Sequence, residues 1–407
     1  ISRSAKRHIF KNIFLFSASF DFNDLAGEND AVYVVENPNY IRNFSSEAAL
    51  FKERLLACMN DRVKEKTTNA YFDAIWSYNL LHNTLHERHV FMLHELKNTI
   101  GKQNKALFIS SGLSIENKPD RLKELSTSLI TFSVPGILPF LLHHGVQVDF
   151  IISTDGGFSN YRHFGAIMSM RHQLPIIAPF SVHYKIPREF HRTVFFFQDS
   201  SSELEVISYM RSDPEAADVY TDADFIPMSG SSVNTGIRII QKLGMDNIIT
   251  AGIDFAITPF KAHALSNTSE EILFNTTERL HTFEGAYAYF TPVKHTLTQG
   301  LFRDEKLELY NTLFDQIVHD HKITCTQYEK AGKVAAKKNI PCIDYTSHSQ
   351  SKGIVQKAVM KQMKKQLAGA EKDYHSLSYD DIVNAGLPAL RDLNARRKLL
   401  NSKALYS

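Results

Sequence analysis

The stretch Lys105–Phe132 (KALFISSGLSIENKPDRLKELSTSLITF) contains a complete strand–turn–helix–strand unit. Its apolar runs, Ala106–Ser110 (ALFIS) and Leu129–Phe132 (LITF), have the length and composition of strands buried on both faces. Between them, Lys118–Leu125 can form a helix with Pro119 in a first-turn position. The stretch therefore predicts two parallel strands joined by a helical crossover.

The same alternation continues toward the C-terminus. Further strands are predicted at Phe150–Ser153 (FIIS), Pro175–Ala178 (PIIA), Thr193–Phe197 (TVFFF) and Asn247–Ala251 (NIITA). Helices are predicted between strands at Ile137–His144, Phe158–His172 and Ser232–Leu243. We therefore expect an α/β fold with a mostly parallel central sheet over residues 101–300.

The regions on either side differ from this core. Residues 1–100 are predicted to form a small mixed α/β domain, with β-rich runs at Ile13–Phe20 and Ala31–Glu36 and helical spacing in Ser46–Met59 and Thr68–Thr99. The apolar stripe around Trp76 is expected to pack in a core. Residues 301–407 are predicted to form a helical C-terminal region that ends in a basic tail.

The chain of 407 residues is nearly neutral as a whole, with 46 Lys and Arg against 44 Asp and Glu. The charge is unevenly distributed, because residues 352–407 hold 11 basic and 5 acidic side chains, which leaves 35 basic and 39 acidic for residues 1–351. Neither the whole chain nor its body has the strongly basic balance typical of nucleic-acid binding proteins. We therefore expect no nucleic-acid partner.

The cysteines and the lengths of the apolar stretches indicate in which cellular compartment the protein is expected. Cys58, Cys325 and Cys342 are an odd number and widely spaced, so neither a disulfide framework nor a zinc site is indicated. The longest apolar stretch, Ser128–Leu142, is interrupted by prolines and is shorter than the roughly 20 residues of a membrane-spanning helix. The basic-then-apolar start has no convincing cleavage site. A cytoplasmic protein without a membrane span is expected.

Small and polar residues follow the first and third predicted core strands, where parallel sheets place their ligands. After ALFIS comes Ser110–Ser114 (SSGLS), whose backbone N–H groups beside a helix start suit a phosphate, although many such turns hold Gly and Ser for geometry alone. After FIIS comes Thr154-Asp155-Gly156-Gly157, in which Asp155 either approaches a ribose, a metal or a sugar hydroxyl, or caps the helix that begins near Phe158.

Two more clusters follow later in the chain. Met228–Gly236 (MSGSSVNTG) offers hydroxyls, an amide and free N–H groups at one helix start, more than a helix cap requires, and we favour ligand binding there. The strand NIITA leads to Asp254, and His263 lies nine residues further on. Such a pair can act as orienting acid and general base, although an isolated histidine is usually a surface residue.

Taken in order, these segments resemble the motility-associated factor family of flagellin glycosyltransferases, which shares a Rossmann-like core with the 6-hydroxymethylpterin pyrophosphokinase type. The resemblance is carried by KALFISSGLS (105–114), VDFIISTDG (148–156), GSSVNT (230–235), and AGIDFA (251–256) with His263. It extends outside the core to the Trp-x-x-Asn segment within DAIWSYNLLHN (73–83), to VYVVENPNYIRNF (32–44) and to TFEGAYAYFT (282–291). The family usually has Gly-Pro-Ser-Leu in the first loop, where this chain has Ser-Gly-Leu-Ser.

The resemblance implies a Rossmann-like core related in fold to the bacterial sialyltransferases. It also implies transfer of a pseudaminic or legionaminic type nonulosonic acid from a CMP-activated donor to Ser or Thr of flagellin, in the cytoplasm before export. The catalytic candidates are His263, Asp155 and Glu284. The expected donor-binding residues are Ser111, Gly112, Ser114, Asp155, Gly156, Ser231, Ser232, Asn234, Thr235 and Asp254. The candidate loops contain no DxD motif, so no cofactor and no obligatory metal are expected.

Two other functions remain open from the sequence. A pterin pyrophosphokinase would share the core and bind ATP with magnesium, but would not need the flanking regions. A non-catalytic export factor would bind flagellin through those flanks with a vestigial core. The tail segment 356–367 (QKAVMKQMKKQL) is amphipathic, and docking on the body or on a partner is favoured over a membrane surface or nucleic acid.

Overall fold

The computed structural model describes residues 38–46, 48–49, 72–73, 75–84, 91–100, 105–212, 221–258, 261–280 and 301–332, with eight isolated positions between 282 and 358. The chain divides into two compact units, Ile1–Tyr71 and Phe72–Ser407. The first unit contributes the helix α1 (Pro38–Asn43) to the described residues. The strands expected at 13–20 and 31–36, most of the helix expected at 46–59, and the basic tail lie outside them.

The second unit is built on an eight-stranded sheet. Its strands are β1 (Phe91–Met92), β2 (Lys105–Ile109), β3 (Ile130–Ser133), β4 (Phe150–Ile152), β5 (Ile176–Pro179), β6 (Thr193–Phe196), β7 (Asn247–Ala251) and β10 (Thr324–Gln327). All pairings in this sheet are parallel, in the order β1-β6-β5-β4-β3-β2-β7-β10. The pair β8 (His295–Thr296) and β9 (Phe302–Arg303) is antiparallel. The predicted α/β fold with a parallel sheet is confirmed.

Helices connect the strands. They are α2 (described over 72–73 and 75–84), α3 (Leu93–Ile100), α4 (Pro119–Ser128), α5 (Leu138–His143), α6 (Phe158–Arg162), α7 (Lys185–Glu189), α8 (Ser201–Ser212), α9 (Ser232–Lys242), α10 (Thr268–Asn275) and α11 (Glu305–Asp320). The inner strands β3 to β6 are buried along their whole length, as apolar strands covered on both faces must be. Aromatic rings fill the core, for example Phe132 stacked on Phe150 with ring centroids 5.4 Å apart.

All six strands predicted over residues 101–300 are present, and two helical predictions need correction. The helix expected over Phe158–His172 ends at Arg162, and a 3-10 turn at Gly165–Met170 follows, because a glycine enters the pattern there. The helical spacing expected to continue to Thr99 is interrupted by β1, whose Phe91 pairs with Val194 of β6.

The observed boundaries also differ from the expected divisions at residues 100/101 and 300/301. The observed division lies between Tyr71 and Phe72, and β10 belongs to the central sheet, where Thr324 pairs with Asn247. The region after residue 301 therefore contributes a strand to the core as well as the helix α11.

The strand order creates one switch point. From β2 the chain proceeds through β3, β4, β5 and β6 to one side, whereas β7 and β10 lie on the other side of β2. In open parallel sheets, ligands bind outside the carboxyl ends of the strands where the order reverses. The candidate site is therefore expected where the loops after β2 and β7 meet.

Candidate functional site

The loops after β2 and β7 run side by side at the switch point. The N–H of Ser110 donates to the carbonyl of Ala251 at 2.8 Å, and the N–H of Gly112 to that of Gly252 at 2.9 Å. Gly252 has φ +65°, and a Cβ there would lie 2.3 Å from the carbonyl oxygen of Ser110. Glycine is thus needed both for the backbone conformation and for the close approach of the two loops.

Asp254 holds the first loop through both of its carboxylate oxygens. Oδ2 accepts from the N–H of Ser114 at 2.8 Å, and Oδ1 accepts from the Ser114 hydroxyl at 2.5 Å. A Cβ on Gly112 would lie 2.5 Å from Asp254 Oδ2, so this carboxylate fits against the loop only because residue 112 is glycine. Asp254 therefore orders the turn that sequence reasoning assigned to a phosphate.

Ser114 is also held from the other side. The hydroxyl of Tyr328, just after β10, donates to the Ser114 carbonyl at 2.7 Å and accepts from the N–H of Lys118 at 3.3 Å. Burial raises the pKa of the Tyr328 hydroxyl to about 12, so it remains a donor at neutral pH. The N–H, hydroxyl and carbonyl of Ser114 are all occupied, which makes it a residue that shapes the loop.

His263 lies in a loop fixed by two carboxylates. Glu270 Oε1 accepts from the N–H of His263 at 2.9 Å and lies 3.2 Å from its Nδ1. Glu116, from the first loop, pairs with Lys261 at 2.6 Å and accepts from the N–H of Leu265. The His263 side chain is 44% exposed. With Nδ1 turned to a carboxylate, Nε2 is the ring nitrogen available to an external proton donor.

Glu270 is a functional candidate that sequence reasoning missed. It stands three residues after Asn267, whose side chain caps α10 by accepting from the N–H of Ser269 at 2.9 Å. An Asn followed by a Glu three residues later is a recognisable helix-start pattern. Here the glutamate reaches back to His263 and to the N–H of Ala262.

Asp155 lies on the loop after β4 and is exposed. Its Oδ1 accepts from the N–H of Gly157 at 2.7 Å, directly before α6, which supports the helix-start interpretation. The other carboxylate oxygen has no hydrogen-bond partner among the described residues, so a ligand role stays compatible. Gly156 is buried, and a Cβ there would lie 2.5 Å from the Ser181 carbonyl oxygen and 2.9 Å from the Trp76 side chain. Glycine at this position therefore allows the loop to pack against other parts of the protein.

The Trp-x-x-Asn segment reaches this edge of the sheet from α2. Asn79 Nδ2 donates to the carbonyls of Gly156 and Ser181, at 2.9 and 3.0 Å, and its Oδ1 accepts from the N–H of Tyr184. Asn79 is 2% exposed. One buried amide thus joins the loops after β4 and β5, a role that the motif alone did not reveal.

The polar cluster before α9 serves partly as a helix start. Ser231 caps α9 by accepting from the N–H of Asn234 at 3.2 Å. Asn234 is fully buried and its Nδ2 donates to the carbonyls of Ser229 and Tyr310, whereas its Oδ1 has no hydrogen-bond partner among the described residues. Thr235 is also buried. Ser232 bonds Thr154 of the β4 loop, with 2.8 Å between their hydroxyl oxygens.

His163, which sequence reasoning did not single out, lies within electrostatic range of two catalytic candidates, His263 and Asp155. Burial lowers the pKa of His163, as does the charge of His263, whereas the charge of Asp155 raises it. Its Nδ1 is buried and has no hydrogen-bond partner among the described residues. Gly136 leaves room for the ring, since a Cβ there would lie 3.2 Å from that nitrogen. Its position inside the helix predicted over Phe158–His172, in a chain with 18 histidines, gave no signal of a site.

Three further features, the predicted catalytic candidate Glu284, metal binding and membrane spans, are separate from this site. Glu284 lies outside the described residues. The described part of the chain holds no group of three or more His, Cys, Asp or Glu side chains arranged for a metal ion. Across the same residues, no helix has the length and apolar character needed to span a bilayer.

The comparisons with known proteins fit the core described above. Residues 78–259 match the family described as 6-hydroxymethylpterin diphosphokinase MptE-like, so the MptE-like resemblance of the sequence motifs is confirmed. The matched range begins within α2 and ends in the loop after β7.

A solved structure is also similar. It is described as "Structure of MAf glycosyltransferase from Magnetospirillum magneticum AMB-1", with a TM-score of 0.46 and 12% sequence identity. The similarity covers 75% of this chain and 45% of that one, so the chain spans less than half of the solved protein. No curated protein matches the sequence significantly.

Proposed function

We propose that this protein is a glycosyltransferase that moves a nonulosonic acid, of the pseudaminic or legionaminic type, from a CMP-activated donor to Ser or Thr hydroxyls of flagellin. One observation carries the proposal: hydrogen bonds between two residue pairs, Asp254–Ser114 and Thr154–Ser232, join the four segments that resemble flagellin glycosyltransferases in twos at one edge of the sheet. In this proposal the reaction takes place in the cytoplasm, before flagellin export.

Donor binding is proposed at the helix starts of this edge. The N–H groups of Ser232 and Val233 open α9 and have no hydrogen-bond acceptor among the described residues. Backbone N–H groups at a helix N-terminus favour a phosphate. The turn at Ser111 and Gly112, fixed by Asp254, would hold the remainder of the nucleotide through the N–H and hydroxyl of Ser111, because the Gly112 N–H already donates to Gly252. Asp254 acts on the donor by shaping this loop.

The proposed chemistry is a direct displacement with inversion. The acceptor oxygen forms a bond to the anomeric carbon, the bond from that carbon to the phosphate oxygen breaks, and CMP leaves with the electron pair. The acceptor proton passes to Nε2 of His263, whose Nδ1 faces Glu270. Because the phosphate is already a good leaving group, positioning and charge stabilisation contribute more than a strong nucleophile. We propose that no metal ion is obligatory.

The matched family's printed description favours a second candidate, a pterin diphosphokinase that would use ATP with magnesium. Isothermal titration calorimetry with CMP, and with ATP plus Mg²⁺, separates the two functions. The glycosyltransferase proposal expects CMP to bind at least tenfold more tightly, with affinity reduced by Asp254→Asn. Tighter binding of ATP with Mg²⁺, together with phosphoryl transfer to a hydroxymethylpterin, would establish the alternative.

A further inference from the structure

A basic surface lies at the sheet edge opposite the candidate site. Arg171, His172, Arg188 and His191 lie together here with Glu189 as the acidic side chain of the same cavity, although residues 1–351 as a whole are net negative. Arg171 and His172 precede β5 and His191 precedes β6, so these residues lie at the amino ends of the strands. The candidate site lies at the carboxyl ends.

A cavity of about 460 Å³ opens on this surface, within the size range of small-molecule sites. It is lined by Met168, Arg171, His172, Arg188, Glu189 and His191. The lining residues belong to two consecutive connections, the one from β4 to β5, which contains α6, and the one from β5 to β6, which contains α7. Four of the six side chains are basic or imidazole groups.

The two arginines converge without a counterion. Neither Arg171 nor Arg188 forms an ion pair with any described residue. Arg171 donates from Nε to the His172 ring at 3.1 Å, which leaves its terminal nitrogens for other acceptors. The His172 ring stacks on His191, with centroids 5.5 Å apart. Both rings therefore line the same cavity as the two arginines.

Glu189 does not neutralise these arginines. Its Oε1 accepts from the Tyr161 hydroxyl at 2.9 Å, and Lys185 lies over the Tyr161 ring, 5.4 Å from the centroid. Its Oε2 is buried with no hydrogen-bond partner among the described residues, so neither carboxylate oxygen bonds the two arginines. Guanidinium groups match phosphate and carboxylate oxygens in pairs, and convergent unpaired arginines gain most from a doubly charged anion.

We propose that Arg171, Arg188 and the stacked pair His172–His191 form a second ligand site, for a small phosphate-bearing anion, at the edge of the sheet opposite the proposed catalytic crevice. This site does not depend on the proposed function, since it shares no residue with the switch-point loops. A free phosphate compound is favoured over a lipid headgroup because Met168 is the single apolar side chain among the six lining residues, which is too little to anchor acyl chains.

Calorimetry with inorganic pyrophosphate and the full chain tests the site. The double substitution Arg171→Gln/Arg188→Gln is expected to weaken binding at least tenfold. Arg211→Gln, which removes an exposed arginine elsewhere, and Asp254→Asn, which alters the switch point, should leave it unchanged. If the double variant fails to fold, Arg188→Glu alone provides the same comparison.

Three outcomes would overturn the proposal. The first is an affinity unaffected by the double substitution, and the second is no measurable binding of millimolar pyrophosphate to the unaltered protein. The third is arginine-dependent sedimentation with phosphatidylglycerol vesicles in the absence of pyrophosphate binding, which would identify a lipid surface as the ligand. Loss of binding in Asp254→Asn with retention in the double variant would place the anion in the crevice and also contradict the proposal.

Discussion

The carboxylate of Asp254 accepts both the N–H and the hydroxyl of Ser114, a residue 140 positions earlier in the chain. This pair spans the switch point between β2 and β7, where the sheet order reverses. The first loop is therefore ordered before any ligand arrives. Such preorganisation reduces the entropy cost of binding a nucleotide.

Asp254→Asn should loosen this loop. The carboxylate accepts from two donors of Ser114, whereas the asparagine side chain has one acceptor oxygen and an NH₂ group that cannot accept. We expect the free energy of unfolding to fall by about 2 kcal/mol, and by about 1 kcal/mol in Ser114→Ala, which removes the hydroxyl bond alone. Urea unfolding measures both. The matched control is Asp246→Asn, because Asp246 is exposed and directly precedes β7, the strand that Asp254 follows. An equal loss in that control would contradict a specific role for Asp254.

His263→Ala should lower sugar transfer roughly 100-fold or more, the usual scale for a lost general base. Glu270→Gln is expected to cause a smaller loss in the same direction, because the amide holds the ring less firmly. Transfer to flagellin under initial-rate conditions is the measurement. The control is His319→Ala, whose side chain is 88% exposed on α11. Near-normal turnover of His263→Ala would rule out this residue as the base.

Asn79→Ala should destabilise the second unit by about 3 kcal/mol, since it leaves buried carbonyls of Gly156 and Ser181 without a donor. Asn311→Ala, which removes a solvent-exposed hydrogen bond to Asp315 on α11, should change stability by less than about 0.5 kcal/mol. Guanidinium unfolding compares the two. Similar small effects for both variants would mean that the buried amide does not join these loops in solution.

The buried Glu203 should make the free energy of unfolding depend on pH. It is fully buried on α8, accepts from the backbone N–H groups of Ser181 and Gln198, and burial raises its pKa from 4.5 to about 7. The folded protein thus holds this proton more tightly than the unfolded chain. Its stabilising contribution is fully present below pH 4.5 and is lost as the pH rises to about 7.

The comparison with Glu203→Gln isolates this effect. Between pH 4.5 and 7.5, the unaltered protein should lose about 3 kcal/mol more of its unfolding free energy than the variant does. Urea unfolding at half-unit pH intervals gives both curves. Parallel curves would show that Glu203 titrates alike in the folded and unfolded states.

The central strands could be predicted because short apolar runs bounded by turn residues are typical of buried β-strands. Once the strands were parallel, their carboxyl ends had to meet at one edge, so the loops with Ser114, Asp155, Ser232 and Asp254 were correctly placed near the sheet edge. The strand β10 was missed because TCTQ, at the edge of the sheet, is only half buried and has no apolar run.

The division of roles within the site could not be predicted. Ser114 interacts with Asp254 and Tyr328, which lie 140 and 214 residues away, and no local pattern encodes such pairings. The local pattern also gave no indication that Asn234 and Thr235 are buried, with Asn234 bonded to Tyr310. Glu270 gains its position from its contact with the His263 loop.

Mass spectrometry of flagellin co-expressed with this protein and a nonulosonic-acid pathway tests the central claim most directly. The account predicts a mass increment equal to one or more nonulosonic-acid residues on Ser or Thr peptides, strongly reduced with His263→Ala and unchanged with His319→Ala. The contradicting result is unmodified flagellin in cells that contain both the folded protein and the CMP-activated sugar.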